Sequence, residues 1–189
     1  MKEINPLDFK EEIYEVYKKA VSSYLRKSYK LEIKEIFIEK MKNWKNFKVY
    51  GAFSKESKEL SSYVLLIVND SYTSFSVLKS IPKYEKMGVN AAVVSYILEE
   101  YNQKLNKNFY ICDGERNILH ETYFQNYLEK YFGFRKVYCK LNLEYRSIFL
   151  IIIKILFPFR NILRKINNIL IFQKINSILY MEEIRKKQD

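Results

Sequence analysis

Glycine and proline are scarce, at 4 and 3 residues, so the chain has little room for flexible linkers and few places where the backbone can turn sharply. Two cysteines, Cys112 and Cys139, are too few for a disulfide framework, no run shows metal-ligand spacing, and the plain reading is two buried thiols in a reducing cytoplasm. Met1 to Asp8 carries charges and no apolar core segment, so no secretory signal is expected there. Long apolar runs are also missing. The best candidate, Ile148 to Phe159, is interrupted by Lys154 and Pro158 and falls short of the roughly 20 apolar residues that a membrane-spanning helix needs. No internal repeat and no low-complexity segment is present.

What the chain does have is apolar mass and positive charge. Its 189 residues suit one domain with a sizeable core, and 48% hydrophobic with 16% aromatic residues excludes a disordered chain. The 17 Tyr and 13 Phe, beside abundant Ile, Lys and Asn, fit an AT-rich coding sequence and carry little functional weight. A formal net charge of +11 favours a partner bearing phosphates, whether a nucleotide cofactor, RNA or an anionic membrane face, without choosing among them.

Apolar spacing sets out the elements. Asp8 with Glu11 reads as a helix cap, followed by Ile13, Val16, Tyr17, Ala20, Val21 and Tyr24 at helical spacing. Ile33, Ile36, Phe37, Met41 and Trp44 give a second stripe. The period then changes: Phe47 to Phe53 and Leu60 to Val68 read as a hairpin, and Tyr72 to Ile81 as a third antiparallel strand that stops at Pro82. Val89, Ala92, Val93, Tyr96, Ile97 and Tyr101 mark a long helix running towards Asn106. Asn108 to Asp113 reads as a short strand and Glu121 to Tyr131 as a helix. Val137 to Tyr145 alternates strictly and reads as a closing strand with one buried face. The expected order is ααβββαβαβ followed by a helical tail.

The junction Ser80 to Ala92, SIPKYEKMGVNAA, leads from a strand end through a polar loop with one glycine into the long helix. The first N–H groups of a helix have no intrahelical partner and sit at the positive end of its dipole, so Lys86, Met87, Gly88, Val89 and Asn90 can hold a diphosphate. The same residues also suit an ordinary strand-to-helix connection.

This junction and the element order resemble the GNAT acyltransferase family, in which the third sheet strand leads through a Gln/Arg-x-x-Gly-x-Gly/Ala loop into the helix that holds the CoA pyrophosphate. Pro82, Tyr84 and Gly88 match that family's P-x-Y-x-x-x-G pattern, whereas Glu85 and Asn90 depart from it. Tyr131, Phe132, Gly133 and Phe134 resemble the family's Tyr-Glu-Lys-x-Gly-Phe ending, with Gly133 expected as a left-handed helix stop. The resemblance covers about Val49 to Tyr145, in element order more than in residue identity, and it lacks a clear strand before the first helix.

It implies an α/β (α+β) fold with a mixed, mostly antiparallel sheet flanked by helices, over residues 1–146, followed by a basic apolar helical extension over 147–189. It also implies acetyl-CoA or another acyl-CoA as donor, direct transfer to an amine, hydroxyl, sugar or other small acceptor, and no metal. The tyrosine that protonates the departing thiolate in that family is replaced here by Glu129, and Tyr127 is the nearby phenol favoured as general acid. His120, the sole histidine, is a candidate base with Glu121 to orient it or act instead, and both equally suit a helix start. Asp113, Glu115 and Arg116 either bind the acceptor or form a solvated turn around Gly114.

Residues 147–189 carry 8 Lys or Arg against 3 acidic residues. Phe159, Ile162, Leu163, Ile166, Ile169 and Leu170 form a helical stripe beside Arg160, Arg164 and Lys165, which suits packing on the domain, on a second subunit as a homodimer, or on a membrane surface. Ile148 to Ile153 is too apolar to stay exposed in a monomer. The expected location is cytoplasmic, with peripheral contact at the inner membrane face as a further option. Two other functions fit the same residues: an aminoacyl-tRNA-dependent transferase of the peptidoglycan-bridge type, and a non-catalytic GNAT-like interaction module whose donor site has decayed. Nucleic-acid recognition as the primary role is disfavoured, since the basic residues are spread along the chain and no binding motif is present.

Overall fold

The structure is a computed structural model, which describes residues 1–23, 31–114, 123–137, 140–166 and 169–188. It divides into two compact units, Met1–Gly114 and Glu115–Asp189.

The first unit is built on a five-stranded sheet of order β1-β2-β3-β4-β5: β1 (Lys2–Glu3), β2 (Phe47–Phe53), β3 (Leu60–Val68), β4 (Tyr72–Ser80) and β5 (Tyr110–Cys112). All neighbours are antiparallel except β4 and β5, which are parallel. β3 lies in the middle and is buried from Leu60 to Leu66 on both faces, which is why its sequence reads as an almost unbroken apolar run. Helices α1 (Lys10–Ser22) and α2 (Lys34–Met41) cover one face, joining Ile13, Val16, Phe37 and Met41 to Val49, Tyr63 and Leu65 in one core. Helix α4 (Val89–Tyr101) packs on β3 and β4 through its buried stripe of Val93, Val94, Ile97 and Tyr101. Between β4 and α4 lies the five-residue helix α3 (Pro82–Lys86).

Several sequence expectations need correction. Helix α1 has Phe9 at its N-cap and no side-chain cap, so the pair Asp8 and Glu11 does not close its start. In α2 the stripe is narrower than expected: Phe37 and Met41 are buried, but Ile33 and Ile36 face solvent. Strand β1 was not legible at all, because two residues cannot show a period. Gly51 makes room for it: a Cβ there would lie 2.9 Å from Leu60 and 3.0 Å from the side chain of Ile4, just beyond β1.

The second unit contains α5 (Phe124–Phe132), α6 (Ser147–Leu156), α7 (Arg160–Leu163) and α8 (Leu170–Lys186). Helix α5 stops at Gly133, whose φ of +68° is the left-handed closure expected there. The expected strand over Val137 to Tyr145 is absent among the described residues, since 137 and 140–145 form no ladder. The alternation itself is real: Leu141, Leu143 and Tyr145 are half-buried while Asn142 and Glu144 are exposed. Instead of a neighbouring strand, side chains of α8 and of the turn after it meet the segment, with Leu141 N–H donating to Gln188 Oε1 at 2.8 Å and Tyr145 O–H to Glu182 Oε2 at 3.2 Å.

The stripe Phe159 to Leu170 is not one helix either. Pro158 sits in a single 3₁₀ turn, α7 ends at Leu163, and Ile169 is extended, so Phe159, Ile162, Ile166 and Ile169 all remain exposed. Helix α7 is tied to α8 by the Arg164–Glu183 ion pair and by Asn176 Nδ2 donating to Leu163 O at 3.0 Å. The apolar segment Ile148 to Ile153 is mostly exposed in the single chain, and only Ile153 is buried.

Candidate functional site

The geometry of interest lies where the sheet opens. β4 pairs with β5 only from Tyr72 to Ser74. Directly after this, Phe75 pairs with Leu66 and Val77 with Leu65, which leaves Ser76 as one extra residue on β4. A bulge of this kind bends its strand and strengthens its twist. Beyond Ser74 the edge of β4 that faced β5 has no strand beside it among the described residues, up to where the chain enters α3.

Two helix starts follow in quick succession. In α3, Pro82 occupies the first turn, where its missing N–H costs nothing, and Tyr84 turns inward. Tyr84 O–H donates to Glu59 Oε2 at 3.0 Å and lies 3.3 Å from Ser57 Oγ, which ties the loop to the β2–β3 turn. Lys19 beside Glu59, with Tyr84 adding to it, holds that carboxyl below its ordinary range. Tyr84 of the P-x-Y-x-x-x-G pattern is therefore a structural anchor.

Gly88 has φ +88° and ψ 18°, a left-handed conformation that lets the chain leave α3 and start α4 without a gap. A Cβ placed there would meet nothing within 4 Å, so glycine is required by backbone conformation, and the space above it is open. The N–H groups of Met87 and Gly88 close the α3 turn onto Tyr84 O and Glu85 O at 3.1 and 3.0 Å. The free amides are thus shifted along the chain from the expected 86–90: those of Val89, Asn90 and Ala91, the first turn of α4, have no acceptor among the described residues. Lys79, Lys83 and Lys86 against Glu85 leave the junction net positive.

Glu85 and Asn90, the two positions that depart from the GNAT pattern, are linked to each other. Ser80 O–H lies 2.5 Å from Asn90 Oδ1 and 2.8 Å from Ser62 Oγ, and Asn90 Nδ2 donates to Glu85 Oε1 at 3.3 Å. Ser62 O–H donates to Lys79 O at 2.9 Å, so the single proton of Ser80 is shared between Ser62 Oγ and Asn90 Oδ1, and the Asn90 amide passes the link on to Glu85. It clamps the start of α4 to the end of β4 and holds the Glu85 carboxylate at a fixed place.

Of the proposed catalytic residues, His120 and Glu121 lie outside the described residues, as do Glu115, Arg116 and Cys139. Cys112 is half-buried at the end of β5 and is a free thiol. Tyr127 belongs to α5 in the second unit, half-buried against Tyr131 and Phe132 with ring centroids 5.3 and 5.6 Å away. Burial, with the neighbouring Tyr131 adding to it, raises its pKa. Glu129, in the place of the family's tyrosine, is on the surface and pairs with Lys136 at 3.0 Å.

The fold is thus a mostly antiparallel sheet with one parallel pair, two helices on one face, and a glycine-led helix after the strand whose ladder ends early. The chain is similar in structure to a possible acetyltransferase from Clostridium difficile 630, with a TM-score of 0.55 and 11% identity over 77% of this chain and 97% of that one. At that identity the likeness is one of fold. An acetyltransferase from Trypanosoma brucei superimposes more loosely, with a TM-score of 0.43 and 13% identity over 76% of this chain and 97% of that one. No protein-family model and no curated protein matches the sequence.

Proposed function

We propose that the protein is an acyl-CoA-dependent N- or O-acyltransferase that passes the acyl group directly from the thioester to an amine or hydroxyl acceptor. One observation carries this reading: three unpaired amides at the start of a 13-residue helix, Val89, Asn90 and Ala91, follow an open-edged strand and a left-handed glycine with free space above it. Amides in that position favour a diphosphate through both hydrogen bonding and the helix dipole. The β4–β5 ladder stops at Ser74, and the β4 edge beyond it has no strand beside it among the described residues, so an extended donor arm can lie there in the manner of an added strand.

In this reading the acyltransferase domain spans residues 1–146, with 147–189 as its extension. The acceptor attacks the thioester carbonyl as His120 or Glu121 takes its proton. The C–S bond then breaks, and Tyr127 gives a proton to the leaving sulfur. A phenol is protonated at neutral pH even without a shift, and the raised pKa of Tyr127 keeps it so further into the alkaline range.

Calorimetry with acetyl-CoA on the purified chain, followed by thiol release against panels of amines and sugars, tests the proposal. Saturable binding with turnover supports it. Binding without turnover leaves a non-catalytic acyl-CoA-binding module, and absence of binding removes the donor altogether.

A further inference from the structure

Helix α6 is built inside out for a chain surrounded by water. At about 100° per residue, Ile151, Ile155, Ile148, Ile152 and Phe149 follow one another around an arc of about 160°. All five are exposed, Ile148 to 72%, Ile155 to 60% and Ile151 to 59%, whereas Ile153 outside that arc is 6% exposed. An amphipathic helix of a soluble unit turns such an arc inward. Phe159 and Ile162 continue the apolar surface past the Pro158 turn.

The charges around it are of one sign. From Arg146 to Lys174 the chain has six basic residues and no acidic one. Arg160 and Arg164 reach Glu183 on α8, but Arg146, Lys154, Lys165 and Lys174 are exposed and have no carboxylate partner among the described residues. Lys154 stands about 60° beyond the edge of the apolar arc, where a long side chain can lift its ammonium clear of a buried face. A stretch that is apolar in the middle, carries cations beside it and has no acidic residue after Glu144 until α8 is complementary to an anionic bilayer, whose acyl region accepts Ile and Phe while its phosphates meet Lys and Arg. The same surface is badly matched to a second copy of itself, since self-pairing would bring cations against cations. At 10 residues, about 15 Å, α6 is too short to cross a bilayer, and no described helix is long and apolar enough to do so.

We propose that α6 and the Pro158 segment after it form a membrane-surface anchor that lies in the plane of an anionic bilayer, with Ile148, Ile151, Ile152 and Ile155 inserted and Arg146, Lys154 and Lys165 at the headgroups. This inference stands apart from the acyltransfer reading, because it uses no residue of the donor loop.

Flotation of the full chain with phosphatidylcholine vesicles, with and without added phosphatidylglycerol, tests it. The chain floats with the anionic vesicles, binds the neutral ones at least about tenfold more weakly, and is released by salt. Lys154→Gln with Lys165→Gln lowers anionic-vesicle binding about 30-fold, and Ile151→Ser with Ile155→Ser lowers it about tenfold or more while far-UV circular dichroism is unchanged. Equal binding to both vesicle types overturns the proposal, as does a folded chain that floats with neither. A dimer in analytical ultracentrifugation that Ile151→Asp splits into monomers, without vesicle binding, assigns the face to a second copy instead.

Discussion

Replacing Gly88 separates what the loop needs to fold from what it needs to bind. In the native loop its φ is +88°, and no atom lies within 4 Å of where a Cβ would stand. Alanine there meets no clash, so its cost is that of an L-residue held in the left-handed region, about 1–2 kcal/mol. That corresponds to a fall in melting temperature of about 3–6 °C per kcal/mol for a unit of this size. Asparagine tolerates the same conformation better, so Gly88→Asn should cost less stability than Gly88→Ala. Its side chain nevertheless enters the open space beside the Val89, Asn90 and Ala91 amides. Displacing a phosphate from one amide forfeits a charge-assisted bond of about 1.5–3 kcal/mol, which weakens CoA about 10- to 100-fold. Differential scanning calorimetry and titration calorimetry on both variants give the two readouts. Unchanged CoA affinity in a folded Gly88→Asn protein would refute the reasoning, because the space over Gly88 would then not be where the diphosphate lies.

Other outcomes follow from the same structure. Glu85→Gln removes a fixed carboxylate beside the helix start while its Oε1 can still accept from Asn90, and titration calorimetry should show CoA binding about fivefold tighter, the gain shrinking as salt is raised. Tyr127→Phe should lower kcat on the order of 100-fold or more with KM for the donor little changed, and the wild-type rate should hold on the alkaline side until pH passes about 10, since the raised phenol pKa delays loss of the proton. Tyr145 is pushed up to about 12 by burial and by the neighbouring Glu182, so the folded chain holds a proton that the unfolded chain loses near pH 10. Stability should therefore fall as pH rises from about 10 to 12, and urea midpoints across that window should flatten in Tyr145→Phe.

Much of the first unit was written in its periodicity. The boundaries of β2 and β3 and the start of β4 were readable because Phe47 to Val68 changes from helical to strand-like spacing around the polar turn at Ser54, and Pro82 marks where β4 must stop. Gly133 was readable for the same kind of reason, since few residues can close a helix in the left-handed region. Pairing, by contrast, leaves no local trace. The alternation from Leu141 to Tyr145 is genuine, but whether it becomes a strand depends on a partner far away in sequence, and here Glu182 of α8 and Gln188 just after it take that place. The two residues of β1 are visible only through the room left at Gly51.

The strand-to-helix junction was legible as a region, and which of its amides stay unpaired was not. Sequence could point to a glycine before a long helix, but not to the extra helical turn of α3 that consumes the Met87 and Gly88 amides and moves the free ones to Val89, Asn90 and Ala91. The partnership of Asn90 with Ser80 and Glu85 was equally hidden, since it joins a strand end, a short helix and a helix start.

Titration of CoA into the isotope-labelled chain, followed by amide nuclear magnetic resonance, tests the account where it is most exposed. The account predicts that the Val89, Asn90 and Ala91 amide signals move together on a saturable curve, and that pantetheine, which lacks the diphosphate, leaves them in place. If those three signals stay still while CoA binds, the diphosphate is held elsewhere and the start of α4 is only a helix start.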